Sequence, residues 1–211
     1  MTPDTIRAAL RLYLVVDPDI AAGDPVEATA KALAGGLTMV QLRSKNRTDR
    51  ETLAFGRAIH MVCHDRGVPF IVNDRLDLAL ALDADGVHLG VDDLPLEDAR
   101  RLAGPDLVIG YSPETDDQLL AAASRGADYL GIGPFFSTAT KADAGVALGT
   151  TEFVRRCALS PLPVVAIGGI GIVNAAKPVE AGADGIAVVS AILRAADPEA
   201  AARELVSAIS R

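Results

Sequence analysis

Hydrophobic positions along this chain fall into short unbroken runs rather than long alternating stretches. Runs at residues 11–16, 38–43, 69–73, 86–89, 107–110, 128–131, 163–167 and 185–189 are rich in Val, Ile and Leu. Each is too short for a helix and lacks polar alternation, the pattern of a parallel strand covered on both faces. Between the runs the period changes. Phe55, Ile59, Val62 and Cys63 recur at the spacing of one helical face. Thr115-Asp116-Asp117 opens another helix with capping chemistry and Gly126 closes it. Further helices are expected over 75–82 and 95–103, with Asp74 and Asp93 as N-terminal cap candidates.

Four stretches echo one another: AGGLTMVQLR (34–43), LDADGVHLG (82–90), RGADYLGIG (125–133) and AGADGIAVVS (181–190). In each, a helix ends on a small residue and a buried strand starts at once, the mark of repeated βα units with short joints. Eight strands and eight helices, with no linker between them, predict a single α/β domain over residues 1–211, folded as a (β/α)8 TIM barrel. An open doubly wound sheet would carry a dinucleotide or P-loop fingerprint in an early βα turn, and the sequence has none.

Composition narrows the function. Half of the 211 residues are hydrophobic and Trp is absent, so aliphatic side chains fill one sizeable core. A formal charge of −8 argues against a nucleic-acid or anionic-membrane surface, though not against a local basic pocket. Cys63 and Cys157 lack partners at metal-ligand spacing and read as reduced core thiols of a cytoplasmic protein. Met1-Thr2-Pro3-Asp4 begins no signal peptide, and no run is long enough to cross a bilayer. Oligomeric state stays open, a homo-oligomer included.

In a barrel, functional groups gather where strands end. The second run ends Gln41-Leu42-Arg43-Ser44-Lys45, and alternation puts Gln41, Arg43 and Lys45 on one side. Two cations and an amide there form an anion clamp, with Arg suited to bidentate phosphate contacts. The third and fourth runs are followed by Asn73-Asp74 and by Asp93. Two carboxylates opposite an Arg/Lys pair suit Mg²⁺ bound to a diphosphate. His88 reads as a satisfied strand histidine. Ser112 offers a hydroxyl after the fifth run, and the sixth is followed by Ser137-Thr138-Ala139-Thr140-Lys141. Gly168-Gly169 and Ser190 after the last two runs match the usual barrel phosphate site.

These motifs in this order resemble the thiamine-phosphate synthase family. The resemblance rests on QLRSK, VND, DGVHLGVDDLP, GADYLGIGPFFSTATK, VVAIGGI and AGADGIAVVSAI, spread over about residues 13–192. It implies an Mg²⁺-dependent transferase that joins a hydroxymethylpyrimidine diphosphate to a hydroxyethylthiazole phosphate, giving thiamine monophosphate and pyrophosphate. Position by position it assigns Gln41, Leu42, Arg43, Ser44, Lys45, Asn73, Ser112 and Lys141 to the pyrimidine diphosphate. Arg43, Lys45, Lys141 and Ser112 are its catalytic candidates, and Asp74 and Asp93 its metal ligands. Thr138, Ala139, Thr140, Gly169, Val189 and Ser190 go to the thiazole phosphate. The chain departs from the family pattern at Val91 (usually Gln), Ser137 (often Pro), Ser44 (often acidic) and Pro113-Glu114 (a small residue, then His). Two alternatives are a thiazole tautomerase, which would bring a histidine to the mouth, and a non-catalytic binder of thiamine precursors.

Overall fold

The structure is a computed structural model in which residues 1–138 and 145–210 are described. Each aliphatic run becomes one strand: β1 (Leu12–Val16), β2 (Met39–Leu42), β3 (Phe70–Asn73), β4 (Gly86–Leu89), β5 (Val108–Tyr111), β6 (Tyr129–Ile132), β7 (Val164–Ile167) and β8 (Gly185–Val188). All neighbours pair in parallel, and β8 returns to β1 to close the barrel. No strand edge is left open to solvent or to another chain.

Helices cover the outside. They are α1 (Pro3–Leu10), α2 (Pro25–Ala34), α3 (Asp49–His64), α4 (Leu76–Ala81), α5 (Leu96–Ala103), α6 (Asp116–Ala121), α7 (Gly149–Leu159), α8 (Ala176–Glu180), α9 (Ser190–Leu193) and α10 (Pro198–Ala208). The described residues therefore hold ten helices where eight were expected. The two additions are α1, ahead of the barrel, and the single turn α9 after β8. Helix α6 has the expected Thr115 cap, completed as a capping box by Gln118, but it stops at Ala121. Residues 122–126 finish as turns that end at Gly126, where φ is 104°.

Strand alternation divides the core in two. Leu14, Val40, Val72, Val87, Ile109, Leu130 and Ala166 face the helices, with Ile59 and Cys63 of α3 packed over them. Tyr13, Val15, Met39, Ile71, Val108, Tyr129, Val165 and Ala187 fill the barrel interior. Helix α1 belongs to the second group. Ile6, Ala9 and Leu10 pack against that interior and close its N-terminal end. Gly185 has no side chain because a Cβ there would run into the Leu10 carbonyl.

The fourfold echo has a hydrogen-bond cause. Every even strand is preceded by a side-chain acceptor that takes the backbone N–H near the start of the odd strand before it. Thr38 Oγ1 accepts from Leu12 at 2.8 Å, Asp85 from Phe70 at 2.8 Å, Asp128 from Ile109 at 2.7 Å and Asp184 from Val164 at 2.7 Å. A buried strand start otherwise leaves an orphan donor, so the same solution recurs at each two-strand unit. Burial also pushes the Cys63 thiol up to about 12 and the Cys157 thiol up to about 11, so neither is a nucleophile at neutral pH.

Candidate active site

The C-terminal ends of the strands enclose two cavities. The deeper, about 160 Å³, lies among Tyr13, Gln41, Arg43, Lys45, Asn73, Asp74, His88 and Ser112. That is the size of a single aromatic ring with little to spare. The wider, about 740 Å³, is bordered by Ser137, Thr138, Gly168, Gly169, Val189, Ser190 and Arg194. Gly90, Ser112, Gly131, Ile167 and Ala187 line both, so the two spaces share a wall.

Charge in the deep cavity is paired before any ligand arrives. Arg43 donates from Nη1 to Asp17 Oδ2 at 2.5 Å, with only 14% and 6% of these side chains exposed. Asp17 follows β1 directly, and its role was not legible as a motif. A guanidinium has five N–H donors, so this bond leaves others for the cavity. Lys45 pairs with Asp74. Asp74 adopts φ 63°, a left-handed backbone that costs roughly 1–2 kcal/mol for most side chains and that Asp tolerates best after Gly and Asn. Its own N–H donates to the His88 carbonyl at 2.8 Å, which holds β3's end against β4.

Asp93 Oδ2 accepts from Gly90 N at 2.7 Å. Burial pushes the Asp93 carboxyl above its ordinary range, and the nearby Asp74 carboxylate adds to the rise. The Gly90 N–H and Lys45 oppose it. Two mutually repelling carboxylates at one site are the donor set that a hard divalent cation neutralises. No cluster of three or more His, Cys, Asp or Glu able to hold a metal occurs among the described residues. A pair of carboxylates is nevertheless what Mg²⁺ takes when phosphate and water fill its other positions.

Not every expected contact points inward. Leu42 is buried in the layer under the helices, and Ser44 Oγ bonds Thr52 Oγ1 of α3 at 2.9 Å. Both side chains turn away from the cavity, leaving only their backbone near it. Ala139, Thr140 and Lys141 lie outside the described residues.

The wide cavity is built differently. Gly168 and Gly169 take φ 101° and 65°, and a Cβ on Gly169 would come within 2.6 Å of the Ser137 carbonyl. Phe135 N bonds Ile167 O at 2.8 Å and Phe136 N bonds Gly168 O at 3.1 Å, so the segment after β6 is laced to the glycine turn after β7. Asn174 clamps that turn from behind, accepting from Gly171 N and donating to Gly169 O. Helix α9 is only four residues long. An anion placed here would meet backbone N–H groups and the Ser190 hydroxyl more than a helix dipole. Arg194 brings a guanidinium to the rim, its Nε fixed to the Ile20 carbonyl.

Comparison with known proteins settles the family. The thiamine monophosphate synthase family model matches residues 12–192. The chain belongs to this family. It is 47% identical to the thiamine-phosphate synthase of Moorella thermoacetica over 95% of this chain and 96% of that protein. The thiamine-phosphate synthase of Haloarcula marismortui is 46% identical, over 95% of this chain and 97% of that one. Among solved structures, thiamine phosphate pyrophosphorylase from Pyrococcus furiosus superposes with a TM-score of 0.88 at 40% identity, covering 97% of this chain and 98% of that one. Of the departures from the family pattern, Val91, Pro113, Glu114 and Ser137 all border the wide cavity. Ser44 is turned toward α3.

Proposed function

We propose that this member of the thiamine monophosphate synthase family joins a pyrimidine diphosphate to a thiazole phosphate, with the pyrimidine ring in the deep cavity and the thiazole phosphate in the wide one. The observation that carries this reading is the shared wall. A ring-sized cavity beside Arg43, Lys45, Asp74 and Asp93 opens directly into a glycine-lined cavity large enough for a second phosphorylated molecule. Holding two reactants in contact supplies much of what a bimolecular condensation needs.

No side-chain nucleophile is required. The bond between the pyrimidine methylene and the diphosphate breaks, and the diphosphate leaves with the electron pair. The lone pair of the thiazole nitrogen then forms the new C–N bond. Arg43, Lys45 and Ser112 stabilise charge on the departing group from fixed positions. Asp74 and Asp93 are the residues that would hold Mg²⁺, which when bound neutralises diphosphate charge. Gln41 and Asn73 orient the pyrimidine, while Gly169, Val189, Ser190 and Thr138 hold the thiazole phosphate. Lys141, Thr140 and Ala139 would complete the two sets from the segment after β6. No helix among the described residues is long and apolar enough to cross a membrane, in keeping with these small, charged partners.

The test supplies both substrates with and without Mg²⁺ and follows pyrophosphate and thiamine phosphate together. Equal release of both products, dependent on Mg²⁺ and reduced ~10³-fold or more in Asp74→Asn/Asp93→Asn, is the expected result. Thiazole phosphate binding without condensation would sink it and leave the tautomerase or the non-catalytic binder.

A further inference from the structure

Among the described residues, the wide cavity is bordered by only two charged side chains, Glu114 and Arg194. Glu114 follows β5 and Arg194 ends α9 after β8, so the ends of β6 and β7 lie between them. Each is pinned at its base. The Glu114 N–H donates to Gln118 Oε1 at 2.8 Å, and its carbonyl accepts from Arg156 Nη2 at 2.8 Å. Arg194 donates from its backbone N to the Ser190 carbonyl at 3.1 Å and from Nε to the Ile20 carbonyl at 3.1 Å. Each is also uncommitted at its tip. Neither the Glu114 carboxylate nor the two Nη groups of Arg194 make an ion pair or hydrogen bond among the described residues. The cations of the deep cavity, by contrast, are already paired.

We propose that Glu114 is a specificity residue that makes the wide cavity prefer a cationic heteroaromatic ring to a neutral one, and so recognises the thiazolium that condensation creates rather than the thiazole that enters. This rests on the placement of the thiazole phosphate proposed above. The glycine turn after β7, Ser190 and Arg194 all lie on the β7–β8 side of the cavity and set the phosphate there. The ring must then reach the wall shared with the deep cavity, where its nitrogen meets the pyrimidine carbon. Ser112 belongs to that wall, and Glu114 stands two residues beyond it on the border of the wide cavity. The carboxylate is therefore on the ring side and the guanidinium on the phosphate side.

Charge accounting gives the two residues different tasks. The incoming thiazole nitrogen is uncharged, so a carboxylate near the ring gains little from it. Once the nitrogen lone pair has formed the C–N bond, the ring carries a full positive charge, while the electron pair of the broken bond has left with the diphosphate. Attraction to Glu114 thus appears only as the product forms, an interaction made with one side of the reaction and not the other. The phosphate is charged throughout, so Arg194 attracts substrate and product alike and does not discriminate between them. Both side chains are exposed, and water screens them. The effect is accordingly modest, roughly 3- to 5-fold for one charge pair at low salt.

The test measures the affinity of the full chain for a neutral thiazole phosphate, its N-methylthiazolium counterpart and inorganic phosphate. It compares the unaltered protein with Glu114→Gln, Glu114→Lys and Arg194→Gln, each at about 20 mM and about 500 mM salt. At low salt the unaltered protein should hold the cationic ring ~3- to 5-fold more tightly than the neutral one, and the difference should all but vanish at high salt. Glu114→Gln should remove the preference without changing affinity for the neutral ring, and Glu114→Lys should reverse it. Arg194→Gln should weaken all three ligands by a similar factor, roughly 3- to 5-fold, and leave the preference in place. Binding of Mg²⁺-pyrophosphate, unchanged in every variant, reports an intact fold. Equal affinities for the two rings in the unaltered protein at low salt, or a preference that survives Glu114→Gln, overturns the inference. Rings held no more tightly than inorganic phosphate defeat the underlying placement of the thiazole phosphate instead.

Discussion

The two cavities at the barrel mouth are built by opposite means. In the deep one, side chains present the charge, and each cation already has an anion: Arg43 has Asp17 and Lys45 has Asp74. A buried charge without a counter-ion costs several kcal/mol, so a ligand-free cavity lined with cations must hold anions in reserve. In the wide one, the backbone is bared at the turn after β7, because Gly168 and Gly169 have no room for side chains. Backbone N–H groups need no counter-charge. The positions at which this chain departs from the family pattern, Val91, Pro113, Glu114 and Ser137, accordingly fall on the rim of the wide cavity.

The largest break in that comparison should come from Arg43→Ala. It removes a stabiliser of the leaving diphosphate and strands Asp17, so kcat/KM should fall ~10²–10³-fold, read as pyrophosphate release. Thiazole phosphate affinity should not move. Arg43→Lys restores the charge without the planar fork and should recover only part of the loss. Next is Gly169→Ala, which meets the Ser137 carbonyl and forces a side chain into left-handed backbone. KM for the thiazole phosphate should rise ~10- to 100-fold with pyrimidine diphosphate affinity unchanged. A fall in both affinities would show that the cavities are not separable.

The smallest effect concerns the support behind the wide cavity. Glu152 of α7 bonds Arg155 and Arg156, and Arg156 in turn donates to the Glu114 carbonyl at its rim. These bonds lower the Glu152 carboxyl to about 2. A depressed carboxylate contributes stability that is present above its ordinary value and lost as pH falls toward the depressed one. Thermal melts between pH 4.5 and 2 should therefore fall less steeply for Glu152→Gln than for the unaltered protein. Because the pair is exposed, its effect on thiazole phosphate KM at neutral pH should stay below about 3-fold.

All eight strands were legible because parallel strands buried on both faces must be written as aliphatic runs, and each boundary lies within a residue of its expected place. The charged cluster was legible for a related reason: polar residues directly after such runs have nowhere to go but the mouth. What stayed hidden needed a third dimension. In LYLVV (12–16), every side chain is buried, so hydropathy cannot say that Tyr13 faces the interior and Leu14 the helices. Asp17 carries no motif, and only the β1–β2 register, which sets Val16 beside Leu42, brings Asp17 next to Arg43. Leu42 and Ser44 look like neighbours of Arg43 in sequence, but strand alternation turns them outward. Helix α1 was missed because the first residues were read for targeting signals, whereas its apolar stripe at Ile6, Ala9 and Leu10 answers to the barrel floor.

That floor also imposes a traffic rule. With Ile6, Ala9 and Leu10 packed against the lower end of the barrel interior, the deep cavity is closed below and shares a wall with the wide one above. On the proposed placement, a pyrimidine diphosphate lodged against Tyr13 and Gln41 would arrive before a thiazole phosphate parked above it and would leave after it or joined to it, an order that initial-rate kinetics with both substrates varied would read.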